Sequence, residues 1–323
     1  MHAILVDDQR HLHWRETETP APTSHEVRIR VHATAVNRAD TLQARGFYPP
    51  PPGESPILGL ECAGEVDAVG DAVTRWRVGD AVVALLAGGG YAEQVVVPEG
   101  QVLPLPAGLD FVAGAAIPEV FATAWLNLFK EARLQPGELV LLHAGASGVG
   151  TAAIQLCKQF DNPCFVTLGN QDKLDRCLAL GADGGHLRTA GEFEPAVADW
   201  ATDGVDVILD PVGGAYLEQN LKVLRPDGRL VLIGLMGGAS APIGLAQMLM
   251  KRLRLIGSTL RSRSRGDKAE LMADMERNLW PLFECDALRP VVHTHFPIQE
   301  ADKAFALVES NQTFGKVVLT LAD

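Results

Sequence analysis

The segment SPILGLECAGEVDAVG (Ser55–Gly70) sets a carboxylate, Glu61, beside a thiol, Cys62. Both groups ligate metals, and a carboxyl in apolar surroundings also serves as an acid. The pair therefore reads as a metal site, a catalytic acid or packing around a turn. A second segment, LLHAGASGVGTAAIQL, carries Gly145, Gly148 and Gly150 between an apolar run and a helical pattern. A dinucleotide needs that arrangement. The first glycine makes the turn and the last lets helix and strand pack closely. The helix N-terminus, around Gly148 and Val149, then offers N–H groups to a pyrophosphate. Ser147 stands at the middle glycine of the usual pattern. It is either a small residue that fits or a hydroxyl at the nicotinamide end, able to bond cofactor or substrate.

The type of dinucleotide is read one strand later. An NAD site ends its second strand with Asp or Glu about 20 residues on, for the ribose hydroxyls. Here VTLGNQDKL puts Gly169, Asn170 and Gln171 there, and Asp172 falls on the presumed helix start, where it caps. A small polar residue followed by Lys173 suits a 2′-phosphate, with Arg188 after the third strand as a second charge. The plain alternative for both cations is solvated surface charge. NADP(H) is expected over NAD(H).

These residues need a frame. HEVRIRVHATAV (His25–Val36) alternates like a half-buried strand, and ECAGEVDAVG, GDAVVALL and YAEQVVVP continue in that style, with few helices before Phe111. A β-rich domain is expected over residues 1–119. Next come the apolar strands ELVLLHA, PCFVTLG, VDVILDPVGG, GRLVLIGLMGG and RLIGSTL, alternating with helices such as KLDRCLALGA, which Gly181 ends. That alternation means a doubly wound parallel sheet, with its ligand crevice at the carboxyl ends of the strands, where the glycines fall. KAELMADMERNLWPLFE and EADKAFALVES then read as helices and GKVVLTL as a terminal strand.

The 323 residues suggest about two domains. A net charge of −12 argues against nucleic-acid and anionic-membrane partners. The five cysteines include no C-x-x-C pair and read as reduced, buried thiols. With no signal-peptide pattern and no apolar run of about 18 residues, the expected compartment is the cytoplasm.

VNRAD (Val36–Asp40), GFYPPPPG (Gly46–Gly53), ILGLECAGEV, HAGASGVGTAAIQL, GLMGG (Gly234–Gly238), LRSR (Leu260–Arg263) and GKVVL carry a resemblance. The chain resembles, over essentially its whole length, a medium-chain dehydrogenase/reductase of the quinone oxidoreductase group, closest to the p53-inducible quinone oxidoreductase subgroup. The resemblance implies an α/β chain with a GroES-like β-rich catalytic domain (residues 1–119, completed by 261–323) and a Rossmann domain binding NADP(H) (120–260). It also implies a homodimer and reduction of quinones by NADPH. Zinc-using relatives place a Cys in the segment matching VNRAD and a His-Glu pair in the segment matching GLEC. Here those positions hold Asn37 and Leu60-Glu61, and no four-cysteine lobe follows ALLAGGG. No zinc is expected.

Without a Lewis acid, alcohol oxidation gives way to acceptors that are already electrophilic, and the protein need only align them and exclude water. Tyr48, ahead of Pro49–Pro52, and Ser147 are the candidates to bond the substrate oxygen. The bland reading of Tyr48 is an aromatic packed on a stiff loop. Strand ends and the resemblance place Thr123, Gly234, Leu235, Met236, Leu260 and Ser262 against the cofactor. Lys316 is expected to close the cofactor cleft, and Asn37 and Asp40 to orient the nicotinamide region or hold their loop. Gly237 and Gly238 read as turn chemistry, and His143 as a satisfied core histidine. Glu119 is given no role. The competing functions are an enone or enoyl reductase on the same scaffold and a non-enzymatic NADPH-regulated binding protein.

Overall fold

The computed structural model describes residues 1–321. The chain forms two compact units, Met1–Ala122 together with the segment from Leu260 on, and Thr123–Thr259.

The first unit opens with an antiparallel hairpin, β1 (His2–Val6) and β2 (Leu12–Glu16). The strands β3 (Glu26–Val36), β4 (Glu61–Val69), β5 (Ala81–Leu85), β6 (Gln94–Pro98) and β7 (Val102–Pro104) follow, with a short helix α1 (Arg38–Ala44) between β3 and β4. The alternation in β3 turns Val27, Ile29 and Val31 inward, where they pack with Val66, Val82 and Val95. The hairpin fits the β-rich domain expected over residues 1–119, and α1 is one of its few helices. Seven residues are two turns of helix, too short for a 3.6-residue period to emerge.

Helical residues continue through α2 (Phe111–Gly114), α3 (Pro118–Trp125) and a π-helical stretch, Leu126–Glu131. Contrary to the sequence expectation, the 21 residues Phe111–Glu131 are long and apolar enough to cross a membrane, but 72% of their apolar 18-residue stretch is buried inside the protein. That burial is what a core helix shows.

The second unit alternates β8 (Val140–His143), α4 (Gly148–Gln159), β9 (Cys164–Leu168), α5 (Gln171–Leu180), β10 (Gly184–Leu187), α6 (Glu194–Trp200), β11 (Val205–Asp210), α7 (Leu217–Val223), β12 (Leu224–Leu232), α8 (Leu245–Lys251) and β13 (Arg254–Gly257). All its strand pairs are parallel, in the order β10-β9-β8-β11-β12-β13. This is the doubly wound Rossmann order. The winding reverses between β8 and β11, which opens the crevice at the loop following β8.

The last segment returns to the first unit as α9 (Arg265–Glu284), β14 (Val292–Pro297), α10 (Ala301–Glu309) and β15 (Lys316–Thr320). Strand β15 pairs antiparallel with β3, so the end of the chain completes a seven-stranded sheet begun by its N-terminal part. Val317, Val318 and Leu319 are buried there, which is why the apolar run GKVVL forms a strand.

Candidate active site

In the second unit the loop after β8 has the geometry its sequence demands. Ala144 takes a left-handed φ of 54°, uncommon for a residue with a Cβ, and the chain reverses into α4. A Cβ on Gly145 would stand 2.8 Å from the Cβ of Val166, and one on Gly150 would stand 2.5 Å from the Ala144 carbonyl oxygen. Both positions therefore exclude side chains. The Ser147 hydroxyl accepts the Gly150 N–H at 3.0 Å and caps α4. One acceptor lone pair is spent on the cap, and the O–H remains a donor. Gly150→Ala is expected to lower thermal stability by about 1–3 kcal/mol, because backbone atoms must move. Gly266→Ala, whose Cβ would meet nothing nearer than 3.8 Å, should melt like the parent.

The end of β9 carries the cations. The Asn170 side chain accepts the Lys173 N–H at 3.0 Å and caps α5, a role expected of Asp172. The Arg188 guanidinium lies over Gly169, within 3.5 Å of where a Cβ would be. Burial, then the charges of Arg188 and Arg176, push the Lys173 ammonium below its ordinary pKa. Cations gathered closely enough to oppose one another at a strand end fit an anionic group, and no carboxylate occupies the position that would read free ribose hydroxyls.

Under this loop His143 is 3% exposed. Its Nδ1 lies 2.8 Å from the Thr167 hydroxyl and its Nε2 2.7 Å from Asn220 Oδ1. Asn220 in turn donates to Asp210 at 2.9 Å. Burial lowers the imidazole pKa, so His143 is the neutral, satisfied core histidine expected. After β12, a Cβ on Gly234 would meet the Pro211 carbonyl at 2.9 Å, so this loop lies against the one that follows β11. Leu235 and Met236 beside it are more than half exposed. Thr123 is half-buried, and its carbonyl accepts from Asn127 at 2.7 Å.

In the first unit the opening pair of residues takes a definite form. Glu61 is fully buried. Its Oε1 lies 2.8 Å from the Lys316 ammonium and accepts from Asn37 Nδ2 at 2.9 Å, while its Oε2 accepts the Glu119 N–H at 2.8 Å. Lys316 also donates to the Val36 carbonyl at 2.9 Å and to Asn37 Oδ1 at 2.7 Å. An ammonium has three donors, and all three are used. The Asn37 amide spends its protons on Glu61 and the Ala35 carbonyl. Lys316 and Asn37 are thus parts of one hydrogen-bonded wall, within which Lys316 spends its donors. Asp40 accepts from the Asn37 and Gly59 backbone N–H groups and from the Tyr91 hydroxyl, which holds the loop. Burial nevertheless raises its pKa to about 6.

A zinc ion does not fit this wall. Its donors would be Asn37, Leu60 and Glu61, an amide, an aliphatic side chain and a carboxylate already neutralised by Lys316, in place of thiolate and imidazole. Cys62 supplies no thiolate, since burial and the neighbouring Glu61 raise its pKa. Four of the five cysteines are buried, and Cys285 is exposed.

Beside this wall the structure adds two residues to which the sequence gave no role. Arg261 is 3% exposed. Its Nε donates to the Ala87 carbonyl at 2.7 Å and its Nη1 to the Tyr48 carbonyl at 3.3 Å, and its Cζ sits 5.4 Å from the Tyr48 ring centroid. It clamps the proline-rich loop. Glu119 is the second. Burial, then the charge of Glu61, raises its pKa to about 8. Tyr48 is half-buried, and burial followed by the charge of Glu119 raises its pKa, against the pull of Arg261. Leu260 is buried and Ser262 exposed next to Arg261.

Comparison with known proteins agrees with this architecture. The family profile "Alcohol dehydrogenase GroES-like domain" matches residues 23–107, and "Zinc-binding dehydrogenase" matches residues 148–277. The quinone oxidoreductase of Rattus norvegicus is 31% identical over 305 residues, covering 94% of this chain and 91% of its own. The phenolphthiocerol synthesis polyketide synthase type I Pks15/1 of Mycobacterium bovis is 36% identical over 299 residues, 92% of this chain but only 14% of that synthase. The chain thus spans less than a fifth of the polyketide synthases it matches. Among solved structures, a mycobacterial protein complexed with NADPH superposes with a TM-score of 0.89 at 27% identity, covering 99% of both chains. The CurK enoyl reductase superposes with a TM-score of 0.83 at 29% identity, covering 96% of this chain and 95% of its own. Sheet order, glycine loop and whole-length relatives together make the chain a member of the medium-chain dehydrogenase/reductase superfamily of oxidoreductases.

Proposed function

We propose that this chain is an NADPH-dependent quinone reductase that works without a metal. The observation that carries this reading is the closed Lys316–Glu61–Asn37 cluster, in which the groups at the family's metal position are spent on one another. A site without a Lewis acid suits an acceptor that is already electrophilic, and a quinone is one. When bound, the nicotinamide supplies the reducing equivalents. The loop Gly145–Gly150 and the start of α4 would hold the pyrophosphate. Asn170, Lys173 and Arg188 would hold the 2′-phosphate end. The whole-length quinone oxidoreductase relative and the NADPH-bound structure support both halves of the reading.

Tyr48 is assigned the hydrogen bond to the substrate oxygen, and the Ser147 O–H is assigned a donor role at the dinucleotide loop. Arg261 holds Tyr48 in place, and Glu119 keeps its surroundings neutral. With a pKa of about 8 against an ordinary value of 4.5, Glu119 is protonated at neutral pH and ionises as pH rises through about 8. The new anion would oppose charge developing on the substrate oxygen. Thus kcat/KM should fall above pH 8 in the parent, and Glu119→Gln should flatten that limb. The folded chain also holds this proton more tightly than the unfolded one. That contribution to stability is complete below pH 4.5 and is lost as pH passes 8. A pH–rate profile unchanged by Glu119→Gln would remove Glu119 from the site.

A second reading, an enone or enoyl reductase, is favoured by the polyketide synthase relatives and the CurK enoyl reductase. NADPH oxidation measured in parallel with quinones, an α,β-unsaturated ketone and an enoyl thioester separates the two. Enone turnover with every quinone inert would establish the second. We further propose a homodimer. Strand β13 pairs with β12 on one side and is the edge of its sheet among the described residues, and α8 exposes Leu245, Leu249 and Met250. Light scattering tests this, with Leu249→Lys expected to give monomers.

A further inference from the structure

We propose that the β1–β2 hairpin is a binding site for a borderline divalent metal ion such as Zn²⁺, held by Asp7, His11 and His13. This site is separate from the wall around Glu61, and it does not rest on the quinone reading.

Strand geometry creates it. Along a strand, residues two apart share a face. His11 and His13 are two apart. In the hairpin register Leu5 faces His13 and Val6 faces Leu12, so Asp7, two residues beyond Leu5, falls diagonally opposite His13 on the same face. The side chains meet as this predicts. Asp7 Oδ2 lies 2.8 Å from His13 Nε2 and 3.6 Å from His11 Nδ1, and the three ligand atoms all lie within 4.8 Å of one another. A tetrahedral ion with bonds of about 2.0–2.1 Å sets its ligand atoms roughly 3.4 Å apart. The observed separations bracket that value, so small rotations seat an ion without moving backbone.

The carboxylate is already aimed. Asp7 Oδ1 accepts the N–H groups of Gln9 and His11 at 2.8 and 2.9 Å, which leaves Oδ2 toward the imidazoles. Such support of the other oxygen is how metal-ligating carboxylates are oriented. Side-chain exposures of 29% for Asp7, 66% for His11 and 37% for His13 leave an entry path. Arg10, in the same turn, reaches Gly46, with its Nη2 within 2.7 Å of where a Cβ there would stand. Two imidazole nitrogens and one carboxylate oxygen select Zn²⁺, Ni²⁺ or Cu²⁺ over Mg²⁺ or Ca²⁺, and they leave a coordination position for water.

The test is calorimetric titration of the full chain with ZnCl₂ after chelation and dialysis, with MgCl₂ in parallel. Expected are one equivalent of Zn²⁺, no Mg²⁺ uptake, and binding weakened by about tenfold or more in His13→Gln and abolished in the His11→Ala/His13→Ala variant. His11 is exposed and His13 half-buried in a two-stranded hairpin, so these variants should stay folded without metal, which melting checks. The Cu²⁺-loaded parent should show two coordinated nitrogens by electron paramagnetic resonance. No uptake, or one equivalent that survives in the double variant, overturns the proposal and leaves the cluster as a histidine–carboxylate ion pair.

Discussion

Replacing Lys173 and Arg188 together by methionine is expected to weaken NADPH binding by about a hundredfold or more while changing NADH by less than about threefold. Each charge-assisted contact to a phosphate contributes about 1.5–3 kcal/mol, and about 1.4 kcal/mol is a factor of ten. NADH lacks the 2′-phosphate and so has little to lose. Methionine keeps the stem of Lys173, which is only 8% exposed, so the loop can hold its shape. The effect is large because the substitution removes two of the three cations, Lys173, Arg176 and Arg188, whose charges meet there. Asn170 gives its Oδ1 to the helix cap, and its amide N–H groups carry no charge to replace a cation. Fluorescence titration of both cofactors measures it. Equal losses for NADPH and NADH would mean that the pair supports the fold and does not read the phosphate.

Replacing Lys316 by methionine is expected to destabilise the first unit by about 3–5 kcal/mol. Glu61 is fully buried, and the substitution would leave its charge without a cation, while Asn37 Oδ1 and the Val36 carbonyl would each lose a donor. Glu61→Gln alone should also cost stability by stranding the ammonium. The double variant Glu61→Gln/Lys316→Met should recover much of the loss, because neither member of the pair is left as a buried charge without its partner. Denaturant melts of the four proteins give the coupling directly. Additive single effects would show that the two groups do not stabilise one another.

The dinucleotide loop was legible because its information is local. A buried strand, three glycines and a helical period lie within about twenty consecutive residues, and two of the glycines, Gly145 and Gly150, answer steric demands that the structure displays. The cations at Lys173 and Arg188 were legible for the same reason, since strand ends locate them. The wall was only half legible. That Asn37 and Leu60 make no zinc site follows from residue type, but that Lys316 neutralises Glu61 does not. Its acceptors on Val36 and Asn37 lie 280 and 279 positions away, and only the pairing of β15 with β3 brings them together. Arg261 was missed for the same reason, its partners Ala87 and Tyr48 being 174 and 213 positions distant. Glu119 carries no motif at all, and its raised pKa is a property of enclosure beside Glu61.

The most direct test of a metal-free, NADPH-driven quinone reductase is steady-state NADPH oxidation by the purified chain with a simple benzoquinone, before and after exhaustive chelation. Turnover that survives chelation unchanged, and that Tyr48→Phe slows by about ten- to a hundredfold, is the expected result. No quinone turnover, or activity that vanishes with chelator and returns with Zn²⁺, would contradict it.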